Sequence, residues 1–151
     1  DAVIDVKLAA LGNPNIPTRV IHRMAAGTGK RVRETIAGNI STPKTILMKS
    51  ARDRDTNVAY NVACNPNVPR EALTILAERR NIGILVAVVR NKNTPEEALA
   101  KLARNNNRNL RLLIAEHENT SRETLEFLLL KAVKEADQKL AETVRLALAK
   151  Q

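Results

Sequence analysis

Four segments of identical length lie end to end in this chain: 13–38, 39–64, 65–90 and 91–116. The period is 26 residues, without insertions, and a divergent fifth copy begins at His117. A period in this range marks a repeat architecture. Asn13, Asn39, Asn65 and Asn91 open the units, and Pro17, Pro43, Pro69 and Pro95 follow four residues later. Ile21, Leu47, Leu73, Leu99 and Leu125 share one column. Met24, Leu76, Leu102 and Leu128 share another, in which Ser50 is the exception. Ala25, Ala51, Ala77 and Ala103 align next, then Val6, Val32, Val58, Ile84 and Leu110, then Ile36, Val62, Val88 and Ile114.

Each unit reads as two helices. Helix A starts at the proline, whose missing N–H is harmless in a first turn. It runs about ten residues, with Leu73, Leu76 and Ala77 on one face at i, i+3, i+4. Thr94-Pro95-Glu96-Glu97 and Thr120-Ser121-Arg122-Glu123 have the capping-box form. Helix B is shorter, as in Asn57–Cys64, and is α or 3₁₀ at that length. The Asn opening the next unit sits where a left-handed residue ends a helix, and Pro14 and Pro66 prevent continuation. Such a pair cannot cover its own apolar face. Stacked pairs share one core, each buried Leu, Ile or Val contributing roughly 1.5–3 kcal/mol. The expected fold is all-α: a right-handed α-solenoid of two-helix repeats in a single domain, 1–151. Residues 1–12 form a partial N-terminal repeat and 117–151 a divergent repeat plus C-terminal cap. In that cap Arg122–Lys134 lengthens helix A, and a second helix carries Leu140, Ala141, Val144, Ala147 and Leu148 inward, with Lys139, Glu142 and Arg145 on its polar face.

Residues 65–77 (Asn65-Pro66-Asn67-Val68-Pro69-Arg70-Glu71-Ala72-Leu73-Thr74-Ile75-Leu76-Ala77) resemble the leucine-rich repeat variant family, and Asn91–Ala103 resemble it more closely. The likeness covers 13 to about 128. The resemblance implies a right-handed superhelix of alternating α and 3₁₀ helices and little about function. Some members carry a cysteine cluster for iron–sulfur binding ahead of the repeats. Nothing here matches it, since Cys64 stands in a column otherwise holding Gly38, Arg90 and Glu116.

No cofactor, metal or catalytic residue is nominated. His22 and His117 are separated by most of the array, and Cys64 is the lone cysteine, so neither a metal site nor an internal disulfide follows. Gly27-Thr28-Gly29-Lys30 lacks the spacing and preceding strand of a phosphate loop and reads as an A–B turn. Asp53 and Asp55 read as turn residues. Asn15, Ser41, Asn67, Asn93 and Asn119 form a polar column expected to bond to the backbone of adjacent turns. No apolar run is long enough to cross a bilayer. Asp1–Asp5 lacks the basic start of a signal peptide, and the lone thiol suits a reducing, cytoplasmic setting.

Charge carries the functional content. Lys and Arg number 25 against 16 Asp and Glu, a net +9. The excess lies in the repeats: the first carries a net +4, the next three +2 each, and 117–151 is neutral. Arg23, Lys49 and Lys101 share an outward column of helix A, and Arg52 and Arg104 lie three residues later on the same face. Arg54, Arg79, Arg80 and Arg108 crowd the A–B turns. Stacking would align these nine into a stripe, interrupted by Ile75 and Glu78. The expected function is a non-enzymatic scaffold for a protein partner bearing an acidic patch. The alternative is sequence-nonspecific binding of duplex nucleic acid through its phosphates. With Tyr60 and Phe127 the only aromatics, single-strand stacking platforms are lacking.

Overall fold

The computed structural model describes residues 2–26 and 29–151, and within them eleven α-helices and no strand. In chain order these are α1 (Ala2–Gly12), α2 (Thr18–Ala25), α3 (Lys30–Gly38), α4 (Lys44–Ser50), α5 (Thr56–Cys64), α6 (Arg70–Leu76), α7 (Ile82–Arg90), α8 (Glu96–Leu102), α9 (Arg108–Glu116), α10 (Arg122–Lys134) and α11 (Gln138–Leu148). The A helices are α2, α4, α6, α8 and α10. The B helices pack in succession: α1 on α3, α3 on α5, α5 on α7, α7 on α9 and α9 on α11. On the A side α4 meets α6 and α6 meets α8, while α2 against α4 and α8 against α10 are less closely held.

The column residues form the interior. Ile21, Leu47, Leu73 and Leu99 are 0% exposed and Leu125 is 1% exposed. Val58, Ile84, Leu110, Val62, Val88 and Ile114 are buried with them. Val6 is the departure at 70% exposed, because α1 packs chiefly on α3 and no A helix covers it. The core divides in two. Leu11, Ile16, Ile21, Val32 and Ile36 cluster around the first unit, and everything from Ala37 and Leu47 to Val144 forms the second cluster.

Helix lengths are the reverse of the sequence expectation. Helix A spans only seven residues in α4, α6 and α8, and helix B spans nine in α3, α5, α7 and α9. Both are α. Helix A stops early because its last turn tightens: the Glu78 and Arg79 amides donate to Ile75 O and Leu76 O, three residues back. Helix B starts early because Asp55, Asn81 and Asn107 cap it, each side chain accepting a first-turn amide. The unit prolines take the cap position itself, one residue before the helix. Neither of the two expected capping boxes forms. Thr94 and Thr120 are buried and donate to Val88 O (2.5 Å) and Ile114 O (2.6 Å), and Ser121 caps α10 instead.

The unit-opening asparagines are not left-handed. Asn39, Asn65 and Asn91 are extended, with φ near −75°, −70° and −81°. Their side chains tie successive units together. Asn65 Nδ2 donates to Ala37 O and Asn39 O, both at 2.9 Å, and Oδ1 accepts the Asn67 amide at 2.9 Å. Asn39 and Asn91 repeat the pattern one unit earlier and later. His117 takes over in the fifth unit. Its Nδ1 accepts the Asn119 amide at 3.0 Å, so the proton belongs on Nε2, which faces Asn91 O at 3.1 Å. The neighbouring polar column bonds as expected: Ser41 to Pro14 O, Asn67 to Ile40 O, Asn93 to Pro66 O and Asn119 to Lys92 O.

The array ends in the tightest pairing, α10 on α11. Their junction is a Schellman turn. The Asp137 amide donates to Ala132 O and the Ala136 amide to Val133 O, with Ala136 left-handed at φ 54°. An alanine in that conformation is strained by roughly 1 kcal/mol relative to glycine. Ala136→Gly is therefore expected to stabilise the chain by about that amount, read as a higher urea midpoint with an unchanged slope.

Candidate functional site

The outer face of the A helices is built from two columns. The first holds Arg23, Lys49, Ile75, Lys101 and Phe127, and the second holds Ala26, Arg52, Glu78, Arg104 and Leu130. All but half-buried Ile75 are exposed, because their helices turn the Leu73 and Leu76 columns inward. The face changes along its length. It is cationic at units one and two, mixed at three and four, and apolar at five.

The nine cations of the expected stripe do not act alike. Arg79 is half-buried, and its Nη2 donates to Ala51 O (3.0 Å) and Asp53 O (2.6 Å). These offsets match those of the asparagine ties, so Arg79 laces units two and three together at their A–B turns. Arg108 grips Asp137 with two bonds, Nε to Oδ2 at 2.6 Å and Nη2 to Oδ1 at 2.8 Å. The Arg108 guanidinium and the Leu140 amide hold the Asp137 carboxyl below its usual range. Lys101 pairs with Glu78 at 2.8 Å, and that bond lowers the Glu78 pKa. Arg104 lies over the Phe127 ring, 5.9 Å from its centre. Arg79, Arg108 and Lys101 therefore leave the stripe, because their charge is spent on the chain itself. Among the described residues Arg23, Lys49, Arg52, Arg54, Arg80 and Arg104 have no acidic partner, and Arg52 reaches only Met48 O at 3.3 Å.

Three of these six, Lys49, Arg52 and Arg54, line a cleft between α2 and α4. It encloses about 750 Å³. Ala25, Ile36 and Ile46 form its apolar wall, and Lys49, Arg52 and Arg54 stand at its edge with His22. Its cause is Ser50. Where Leu76, Leu102 and Leu128 fill the inner column and are buried, Ser50 stops at Cβ and Oγ. The gap coincides with the division of the core. Asp53 borders it. Burial pushes its carboxyl up, but hydrogen bonds from Arg33 Nε (2.7 Å) and the Asp55 amide (2.9 Å) outweigh this and lower its pKa. Asp55 caps α5 and meets Lys30 at 3.0 Å. The two aspartates are turn and cap residues.

Sequence reasoning passed over two features. One is the cleft, whose signal was Ser50 in a column of leucine. The other is the exposed apolar run on α10: Phe127, Leu130 (73% exposed) and Val133. Lys139, Glu142 and Arg145, the polar face expected on the last helix, are exposed on α11, and the apolar run lies on the helix before it. His117 is a half-buried tie between units. Of the loop that superficially resembles a phosphate site, Gly27 and Thr28 lie outside the described residues, and Lys30 is paired with Asp55 and Glu34.

Among the described residues no three His, Cys, Asp or Glu side chains come together to hold a metal ion, and no helix is long and apolar enough to cross a membrane. No family model, no curated protein and no solved structure matches this chain.

Proposed function

We propose that the chain is a right-handed α-solenoid of the leucine-rich repeat variant kind. It acts as a non-enzymatic scaffold and offers the A-helix face of its first two units to an acidic protein partner. The 26-residue register and the succession of B helices, each tied to the one before by Asn39, Asn65, Asn91 and His117, support the architecture. One observation carries the function: of the six stripe cations without an acidic partner, Arg23, Lys49, Arg52 and Arg54 fall in the first two units, and only Arg80 and Arg104 in the later ones, where Arg79, Lys101 and Arg108 are bonded within the chain. Unpaired charge on a fixed frame steers and orients an oppositely charged partner. The exposed free thiol of Cys64 suits a reducing compartment such as the cytoplasm.

Duplex nucleic acid is the second reading, favoured by the net +9. Against it, the ridge that a long duplex would follow is neutralised at Glu78–Lys101 and turns apolar at Phe127 and Leu130. The test is a fluorescence titration with an acidic peptide and with duplex DNA, at low and at moderate salt. The acidic peptide is expected to bind at low salt, and Arg52→Glu with Arg54→Glu to weaken it about tenfold or more, with thermal stability little changed because both side chains are exposed. Charge reversal at Arg104 is expected to have a smaller effect. Duplex DNA that binds more tightly than the peptide, loses affinity steeply with salt, and depends equally on Arg52 and Arg104 selects the second reading.

A further inference from the structure

The cleft beneath Lys49, Arg52 and Arg54 has a shape that charge alone does not require. Cations on a flat helix face suffice to hold an acidic surface. Here they surround a recess of about 750 Å³, within the roughly 300–1,000 Å³ range of ligand-binding clefts. Its wall is mostly apolar, from Ala25, Ile36 and Ile46. A solvated recess of this kind between packed helices costs packing energy. Other units close the same position with Leu76, Leu102 or Leu128.

We infer that the cleft is a pocket for one large apolar side chain of an acidic peptide segment, with Lys49, Arg52 and Arg54 receiving the flanking carboxylates. The inference rests on the acidic-partner reading above and adds the anchor that gives it specificity. Apolar wall and cationic edge together match a segment in which an aliphatic or aromatic residue sits among Asp and Glu. A phosphate backbone would satisfy the cations and leave the apolar wall exposed to water. The two aromatic side chains that could stack on bases, Tyr60 and Phe127, lie outside the cleft lining. Ser50 is the specificity residue, since it lines the recess where the same column elsewhere carries a buried leucine. Anchored side chains in such pockets carry most of the binding energy of an interface.

The experiment uses the full chain and two short fluorescein-labelled peptides of Asp and Glu, one with a single central Leu and one with Ser in its place. Anisotropy is followed at low salt for the unmodified chain, for Ser50→Leu, and for the Arg52→Glu, Arg54→Glu double variant. The Leu peptide is expected to bind the unmodified chain about tenfold or more tighter than the Ser peptide. Ser50→Leu restores the residue type of the column and is expected to keep or raise the melting temperature. It also reduces the Leu peptide to the affinity of the Ser peptide. The double variant is expected to weaken both peptides. Equal affinity of the two peptides for the unmodified chain overturns the pocket while leaving the charged face intact. So does undiminished binding of the Leu peptide to a folded Ser50→Leu. Failure of both peptides to bind at low salt overturns the acidic-partner reading, and the pocket with it. If Ser50→Leu does not fold, the comparison of the two peptides on the unmodified chain decides the matter.

Discussion

Leu73→Ala is expected to lower the unfolding free energy by roughly 2–5 kcal/mol. Leu73 is wholly buried on α6, in the middle of the array, within the larger core cluster. Removing its isobutyl group loses the transfer energy and leaves a void that helices fixed on either side cannot close. Leu99→Ala, one unit later and equally buried, should fall in the same range. A chain of this size has only about 5–15 kcal/mol of stability in total. The loss should therefore appear as a large fall in the urea midpoint. Native exchange should also show more opening of α6 and its neighbours than of α10 and α11, because each unit leans on its neighbours. A neutral result at both positions would mean that these two side chains do not occupy equivalent inward sites.

Asn65→Ala should cost about as much without touching the apolar core. The side chain is 1% exposed. It supplies two donors, to Ala37 O and Asn39 O, and one acceptor, for the Asn67 amide. Alanine leaves the Ala37 carbonyl and the Asn67 amide without these partners, and Asn39 O with only the Thr42 amide, at roughly 1–3 kcal/mol for each group that water cannot reach. The expected loss is about 2–4 kcal/mol. Asn65→Asp should be no better, since the carboxylate keeps the acceptor but sets a charge against two carbonyl oxygens. Asn65→His is the informative variant. His117 performs this task in the fifth unit with Nε2 and Nδ1, so histidine should recover part of what alanine loses. Recovery by histidine and failure of aspartate would assign the role to the donor atom rather than to side-chain volume.

The two effects describe different jobs in one frame. The leucine columns hold the units together and specify little about their mutual position. The asparagine column fixes that position, because its donors reach carbonyls 26 and 28 residues back. Arg79 does the same at the opposite edge, which is why its charge is lost to any partner. Arg79 ties only units two and three, and at the junction before it a single small residue, Ser50, lines a recess.

The helical class, the inward columns and the exposed position of Arg52 and Arg104 were all legible in the chain of letters. A 26-residue apolar period is a local, one-dimensional record of which side chains leave water. Burial of Leu47, Leu73 and Leu99 follows from it directly. Other properties needed the stacked helices. The asparagines look like helix stops until their carbonyl partners in the preceding unit are seen. Thr94 looks like a cap until its hydroxyl is found on Val88 O. Arg79, Lys101 and Arg108 look free until Asp53 O, Glu78 and Asp137 come within 3 Å. The partners of a polar group are set by geometry between units, and sequence distance does not encode it. The same holds for the recess at Ser50, which exists only because two neighbouring helices stand where a leucine would have joined them.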